Sequence, residues 1–423
     1  MKKLFLGLLA LSLVLAFAMP AAATDVSVSG SFYVAGYYDD NGDLLEEEAG
    51  AQGSSSAWYN TRLRVQTVFQ VNPAIQLITR FDALEGYWNA PGGPAEYDPG
   101  RDDDNIDFDR AYMVFNSKYG KFEIGHKAGG AWGTVFCDAE DDVPRMQWSK
   151  MIGGWLFGAI LEKAQENDQG TDLTDADNDK PMLYVVKPFK GGVAGLLFVY
   201  LDYAAWKPAG FDMNCYILEP YMKAKFGNVY VEAEVDYIWG KSREWDDGIP
   251  LDDVDRDGLS AYINAKVFLG NAYVGGQVAW VRGDDPNTND EDESGLTGSD
   301  YNPCLILWND DQVKWSGQNL GHGPTTGDAM ANAWLYQVYA GFAPMKGLDL
   351  FASYTFAKVD EDENFEDDEY GQEIDITATY KVFDNLEYMV GFGYFMAGDA
   401  YKTNSNDEVE NDYVVMHKLT LSF

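Results

Sequence analysis

The sequence predicts an all-β protein, a transmembrane antiparallel β-barrel of about 18 strands, with 16 strands as the alternative. Two observations carry this prediction: apolar and polar residues alternate with period two, and short connections alternate with long ones along the chain. Strands of a membrane barrel alternate between lipid-facing and lumen-facing side chains, which produces this pattern. Beyond residue 24 no stretch of 18 or more apolar residues occurs, which argues against membrane-spanning helices in the mature chain.

Residues 59–71 show the alternation most clearly. One face of this segment is apolar, and Arg62 and Arg64 lie on the other face. The apolar face comprises Tyr59, Thr61, Leu63, Val65, Thr67, Phe69 and Val71. Residues 229–239 and 386–396 alternate in the same way. A helix would not sort the residues like this, because its period is 3.6 rather than 2.

The connections between these segments are of two kinds. Eight short ones carry turn residues: Asn72-Pro73, Tyr119-Gly120, Gly153-Gly154, Gly191-Gly192, Gly227-Asn228, Gly270-Asn271, Lys346-Gly347 and Asp384-Asn385. Nine long, acidic ones lie near residues 38–57, 89–105, 128–142, 165–180, 205–212, 242–257, 283–330, 360–370 and 399–411. Short turns at one end of a barrel and long loops at the other are typical of outer-membrane proteins, so we expect periplasmic turns and extracellular loops.

The first 23 residues have the pattern of a cleaved signal peptide. Lys2 and Lys3 precede an apolar run over residues 4–19, and small residues follow at 21–23. The run is shorter than the roughly 20 residues that a spanning helix needs. We therefore expect export and cleavage after Ala23, which leaves residues 24–423 as the barrel.

The charge balance excludes one class of partner. Lys and Arg number 30 against 69 Asp and Glu, a formal net charge of -39 at pH 7, which argues against binding nucleic acid. Cys137, Cys215 and Cys304 are an odd number, so one disulfide with a spare thiol and no disulfide are both open.

Several motifs, in order, resemble Gram-negative general porins. Residues 59–81 look like the second and third strands of that family, with an inward Arg on each strand. Residues 109–112 (Asp-Arg-Ala-Tyr) and 120–126 resemble its "R-A-Y … G … lGR" region, with His126 in place of the usual Arg. Residues 148–159 look like the hairpin after the family's constriction loop.

The resemblance covers residues 26–203 by motif and continues to Phe423 only as a pattern. It implies a homotrimeric, water-filled channel for passive diffusion of small hydrophilic solutes and ions. It also implies a place in the outer membrane of a Gram-negative bacterium, in contact with lipid. A final strand that ends in Phe423 resembles the signal read by the barrel-assembly machinery.

In that family the third long loop folds into the barrel and narrows it. The matching segment here is residues 128–142, and its acids are Asp138, Glu140, Asp141 and Asp142. Across from it, the alternation places four cations on the inner wall: Arg62, Arg64, Arg80 and Arg110. Opposed charges at a narrow waist would set up a transverse field. Alternatively, some of these arginines pair with Asp82 or Asp109 and stiffen the wall.

Acids of the other strands suggest mild cation preference. Glu232, Glu234 and Asp236 share the inward parity of one strand, and Glu373 and Asp375 share that of another. We expect them to add negative charge to the lumen wall. This charge would compete with that of the four arginines.

One acidic motif suggests divalent cations. Asp253, Asp255 and Asp257 precede Gly258 as in the start of a calcium loop, because closely spaced carboxylates supply oxygen ligands. The twelfth position is Asn264 rather than Glu, and the segment runs into a strand. A weak calcium site and a merely solvated loop are therefore both open, and no other cofactor is expected.

Other functions were weighed against a general porin. The three histidines are scattered and no nucleophile or phosphate-binding motif occurs, so we do not expect an enzyme. A substrate-specific channel, a structural or adhesive surface barrel, and a sheath for an electron-transfer partner stay open. The long connection 283–330 is expected to be external. Its apolar residues 304–308 could cover the mouth, contact a neighbouring subunit or bind something outside.

Overall fold

The computed structural model describes residues 25–42, 44, 55–88, 106–139, 141–167, 176–309, 329–362, 367–402 and 408–423. The predicted signal peptide, residues 1–23, lies outside these residues.

The described chain folds into one antiparallel barrel. Its strands are β1 (Asp25–Asp39), β2 (Ser56–Asn72), β3 (Ile75–Tyr87), β4 (Ile106–Ser117), β5 (Gly120–Gly129), β6 (Asp141–Ile152), β7 (Trp155–Gln165), β8 (Asn178–Phe189), β9 (Gly192–Tyr203), β10 (Phe211–Phe226), β11 (Val229–Trp245), β12 (Val254–Leu269), β13 (Ala272–Val281), β14 (Glu291–Asp292), β15 (Ala333–Met345), β16 (Leu348–Val359), β17 (Glu369–Phe383), β18 (Leu386–Ala397) and β19 (Asp412–Ser422). Each barrel strand pairs with its neighbours in sequence, and β19 pairs with β1. Closure leaves no free sheet edge, as hydrocarbon requires.

The barrel has 18 strands, which confirms the prediction from the sequence. The exception is β14, which has two residues, lies within the connection from β13 to β15 and pairs parallel with β12. Eight two-residue turns alternate with nine longer connections. At the β6–β7 turn Gly153 and Gly154 have φ of 59° and 79°. Two positive φ angles favour glycine and match the twist of a tight hairpin.

The two faces of the barrel differ in polarity. The outer face carries large exposed apolar side chains, such as Leu183 and Val338, each 61% exposed. Rings also cluster on this face at both rims. Near the long connections these are Tyr59, Trp88, Tyr216, Tyr237, Trp239, Trp280, Trp334 and Tyr336, and near the turns they are Phe189, Phe226, Phe268, Phe342, Tyr380, Phe383 and Tyr388. An apolar band between two aromatic girdles is the outer surface of a membrane barrel.

Helix is confined to short pieces in the long connections. Two 3-10 helices occur, at Lys207–Ala209 and Asp399–Tyr401. Neither they nor any other described helix is long and apolar enough to cross a membrane.

Two segments of the long connections fold into the barrel. The first, residues 130–139, is called the inward loop. It begins after β5 ends at Gly129 and leads to β6 at Asp141, so it is shorter than the expected 128–142. The second, residues 294–308, is called the inner segment and belongs to the connection that was expected to be external. In this part of the chain that expectation is wrong, because the inner segment packs against the inner wall: Leu296 N–H bonds Ser260, and Gln337 bonds the Pro303 carbonyl.

The two inward pieces form the main apolar core together. Phe136 stacks on Tyr262 of β12 with ring centroids 5.3 Å apart, and Tyr301 meets both rings edge-on. Leu307 and Trp308 are also fully buried. Burying these side chains supplies the free energy that holds both pieces inside, roughly 1.5–3 kcal/mol for each large side chain.

Candidate pore constriction

The four predicted arginines lie together on the inner face of β2, β3 and β4, and each has an acidic neighbour. Arg64 binds Asp82 through two nitrogens, with Nη2–Oδ2 at 2.8 Å and Nε–Oδ1 at 2.9 Å. Arg62 is held more loosely, 3.9 Å from Asp82 and 3.5 Å from Glu85. Its guanidinium also lies over the Tyr33 ring.

Arg80 is the most buried of the four and joins two strands. Its Nε lies 2.8 Å from Asp109 on β4, and its Nη2 lies 2.7 Å from Asp142 on β6. Arg110 contacts the other oxygen of Asp142. The pairs Arg64–Asp82 and Arg80–Asp109 are those expected if the arginines stiffen the wall.

A bulge in β4 explains how adjacent residues both reach the lumen. Arg80 faces Arg110 in the ladder, while Asp82 faces Asp107, so β4 contains one extra residue at this point. A bulge breaks the alternation of side chains. Asp109 and Arg110 therefore both point inward and form ion pairs.

The predicted acidic loop is only partly where the sequence placed it. Asp141 and Asp142 belong to β6 rather than to the loop, because they pair with Gly129 and Ala128 of β5. Glu140 lies outside the described residues. Asp142 does oppose the arginines, but it does so from the barrel wall.

Asp138 is in the inward loop but does not face the arginines. Its Oδ1 accepts the Trp132 N–H at 2.6 Å, and its carbonyl accepts the Asp300 N–H of the inner segment. Burial raises the pKa of the Asp138 carboxyl to about 6. The loop crosses to the β10–β11 side, where the Trp132 ring donates to the Glu219 carbonyl. An opposed pair formed by Asp138 and the arginines is therefore absent.

The three predicted wall acids of β11 point inward, but two are covered. Glu234 accepts the Thr134 N–H of the inward loop, and Glu234 and Asp236 are 1% and 0% exposed. Glu232 accepts hydrogen bonds from Tyr230, Tyr262 and Asn264. The expectation that all three add charge to an open wall is wrong for Glu234 and Asp236, because the inward loop lies over them.

Glu373 of β17 is covered in the same way by the inner segment. Its carboxylate accepts the N–H groups of Leu305, Ile306 and Leu307 at 3.0, 2.8 and 2.8 Å. Asp375 accepts a bond from Ser353 beside it. Glu373 is thus the anchor of the inner segment.

Further ion pairs continue the cationic wall beyond β4. Lys127 lies 3.3 Å from Glu123, and Lys180 lies 3.0 Å from Glu162, which Arg145 also contacts. The sequence analysis did not single these residues out. The signal was present, since Arg145 and Lys180 lie in segments that have inward parity when the strands are placed correctly.

The predicted calcium residues lie in a line rather than around a point. Asp255 and Asp257 belong to β12, and Asp253 directly precedes it. Lys241 contacts Asp253 and Asp255, and Arg282 contacts Asp257. Strand residues two apart are separated by nearly 7 Å, so their carboxylates converge poorly on one ion. Possible ligand groups among the described residues occur elsewhere, around Cys137 and Cys304.

Phe423 lies at the seam of the barrel. Its backbone exchanges two hydrogen bonds with Gly30 of β1, at 2.8 and 3.0 Å. A side chain at position 30 would meet the Arg64 carbonyl and the Phe423 ring, which explains the glycine. The predicted role of Phe423 in assembly stays a prediction.

A cavity of about 540 Å³ lies between the inward loop and the wall of β4–β10. Its lining includes Trp132, Cys137, Arg145, Glu162, Lys180 and Glu219. All three cysteines are free. Burial, and then the negative charges of Asp236 and Glu219, raise the pKa of the Cys137 thiol.

Comparisons with known proteins show the fold. No family model matches the sequence, and no curated protein matches it. A BenF-like porin from Pseudomonas fluorescens Pf-5 is similar in structure at 11% identity, with 94% of this chain and 99% of that chain covered and a TM-score of 0.54. OccK2 (OpdF) of Pseudomonas aeruginosa, solved with glucuronate, gives 11%, 94%, 98% and 0.54. The outer membrane protein opdK of Pseudomonas aeruginosa gives 11%, 94%, 99% and 0.52.

The chain therefore has the fold of outer-membrane porins. The resemblance drawn from the sequence is confirmed at this level, as a closed antiparallel barrel of 18 strands. The narrower likeness to trimeric general porins stays a prediction.

Proposed function

We propose that the protein is an outer-membrane channel through which small hydrophilic solutes and ions diffuse passively. The observation that carries this proposal is the closed 18-strand barrel, apolar outside and lined inside by charged pairs. Barrels of 16–18 strands are wide enough to leave an aqueous lumen. The role is transport rather than catalysis.

The proposed test is conductance of the purified protein in a planar lipid bilayer. Ohmic steps that do not saturate with solute support passive diffusion. Absence of steps would contradict it and favour a structural or adhesive barrel, or a sheath for an electron-transfer partner. Chemical cross-linking in mild detergent tests the proposed homotrimer, for which a ladder ending at three subunits is expected.

We further propose that the mild cation preference comes from the mouth rather than from the wall. The wall cations on β2–β8 have acidic partners, and Glu234 and Asp236 are covered. Exposed acids are instead concentrated in the long connections: Asp246, Asp247, Asp252, Asp284, Asp290, Glu291, Asp362, Asp367, Asp399, Glu408 and Glu410. They would concentrate cations at this end of the barrel.

This origin predicts a preference that salt abolishes. At a fixed concentration ratio across the bilayer, the reversal potential should indicate cation preference near 0.1 M salt and approach zero near 1 M. The reason is that the Debye length falls from about 10 Å to about 3 Å over this range. The measurement is the reversal potential at both ionic strengths. A preference that is undiminished at high salt would place the selecting charges in the narrow lumen instead.

A substrate-specific channel is the second candidate. Arg62, Arg64 and Arg110 retain partly exposed guanidinium groups, with 16–22% of each side chain exposed, and OccK2 was solved with a sugar acid. Guanidinium groups bind carboxylates through paired hydrogen bonds. Saturable block of the ion current by glucuronate, absent with glucose, would support this candidate over general diffusion.

A further inference from the structure

A thiol and two carboxylates of distant segments meet beneath the inward loop. Ligand atoms of Cys137, Glu219 and Asp236 all lie within 4.8 Å of one another. They come from the inward loop, β10 and β11, so the fold rather than local sequence brings them together. Glu234 lies beside them on β11 and accepts the Thr134 N–H with one oxygen.

The carboxylates of this group lack the partners that buried acids normally have. Asp236 is 0% exposed, and neither of its oxygens accepts a hydrogen bond from any described donor. The second oxygen of Glu234 is equally unsatisfied. A buried carboxylate without hydrogen bonds or a counter-ion is costly. The structure around Asp236 therefore calls for a positively charged group that binds there.

Neighbouring cations do not fill this role. Lys180 contacts Glu162, and no described Lys or Arg forms an ion pair with Glu219, Glu234 or Asp236. The cavity of about 540 Å³ includes Cys137 and Glu219 in its lining, so a small ion has a path to the group.

We propose that Cys137, Glu219 and Asp236 bind one divalent transition-metal ion of the zinc class. Zinc takes cysteine sulfur together with carboxylate oxygens in proteins, whereas calcium and magnesium take oxygen ligands only. The thiol therefore selects zinc or cadmium over the calcium considered for residues 253–257. The bound ion would tie the inward loop to β10 and β11.

A second group of the same composition serves as an internal comparison. Cys304, Glu373 and Asp375 also lie within 4.8 Å of one another. There both Glu373 oxygens already accept backbone N–H groups of the inner segment. Glu373 is thus occupied as an anchor, and we assign the metal site to the Cys137 group alone.

The test is a titration of the detergent-purified full chain, stripped with chelator, with Cd²⁺ and with Zn²⁺. We expect one equivalent to bind, and Cd²⁺ to produce the ultraviolet thiolate-to-cadmium charge-transfer band. Calcium at the same concentration should not compete. Isothermal titration gives the stoichiometry and the affinity without reference to channel activity.

Isosteric variants identify the site. Cys137→Ser and Asp236→Asn should each weaken binding at least 100-fold, the upper end of the effect of lost supporting groups around a metal, and Cys137→Ser should remove the band. Cys304→Ser and Cys215→Ser are matched controls and should bind as the parent does. Heat-modifiable migration on gels checks that every variant folds.

Three results would overturn the proposal. The first is no stoichiometric binding by the folded parent, which would mean that protons rather than a metal neutralise the group. The second is unchanged binding by Cys137→Ser. The third is loss of binding in Cys304→Ser, which would move the site to the other group.

Discussion

Replacing the inner segment, residues 296–308, by a short Gly-Ser linker is expected to raise the single-channel conductance about twofold. An 18-strand barrel leaves an aqueous lumen, and this segment packs across one side of it, from Ser260 on β12 to Glu373 on β17. Its removal also takes away Tyr301, which covers Phe136 of the inward loop. The measurement is the step size in planar bilayers at fixed salt.

The control is an equally simple change outside the lumen. Residues 247–251 lie between β11 and β12 and are mostly exposed, so replacing them by the same linker should leave the step size unchanged. If the inner-segment variant also conducted as the parent does, the narrowest point of the lumen would have to lie elsewhere.

Arg80→Met is expected to destabilise the barrel by about 3 kcal/mol, the lower end of the cost of breaking a buried ion pair. The Arg80 side chain is only 7% exposed and joins Asp109 to Asp142. Methionine keeps much of the volume but leaves Asp109 without its cation. The measurement is the free energy of unfolding in urea, with the protein in lipid vesicles.

Arg62→Met is the matched control for this prediction. Its ion-pair distances are 3.5 and 3.9 Å and its side chain is 22% exposed, so its loss should cost less than about 1 kcal/mol. Both variants remove one positive charge from the wall, so both should shift selectivity toward cations to a similar degree. Equal stability of the two variants would contradict a stiffening role for Arg80.

The barrel could be predicted from the sequence because its determinants are local. Period-two alternation and turn residues such as Gly153-Gly154 fix a strand and its hairpin within about 25 residues. Eighteen strands followed from counting turns and loops, and even the weak segments 145–151 and 181–189 proved to be strands. A closed sheet requires only that neighbours in sequence pair.

The interior could not be predicted in the same way. Whether residues 294–308 fold inward depends on Glu373 and on Phe136, which lie far away in sequence. The apolar run 304–308 signalled burial but not its direction. Parity placed Glu234 and Asp236 inward correctly, yet it carried no information about the loop that covers them.

The two inward pieces also support each other directly. Gly298 N–H bonds the Phe136 carbonyl, Asp300 N–H bonds the Asp138 carbonyl, and a side chain at position 298 would collide with the Asp138 backbone. Neither piece can swing away without uncovering the aromatic rings of the other. The lumen is therefore braced by a single cross-beam, and its bore changes between discrete sizes rather than by gradual widening.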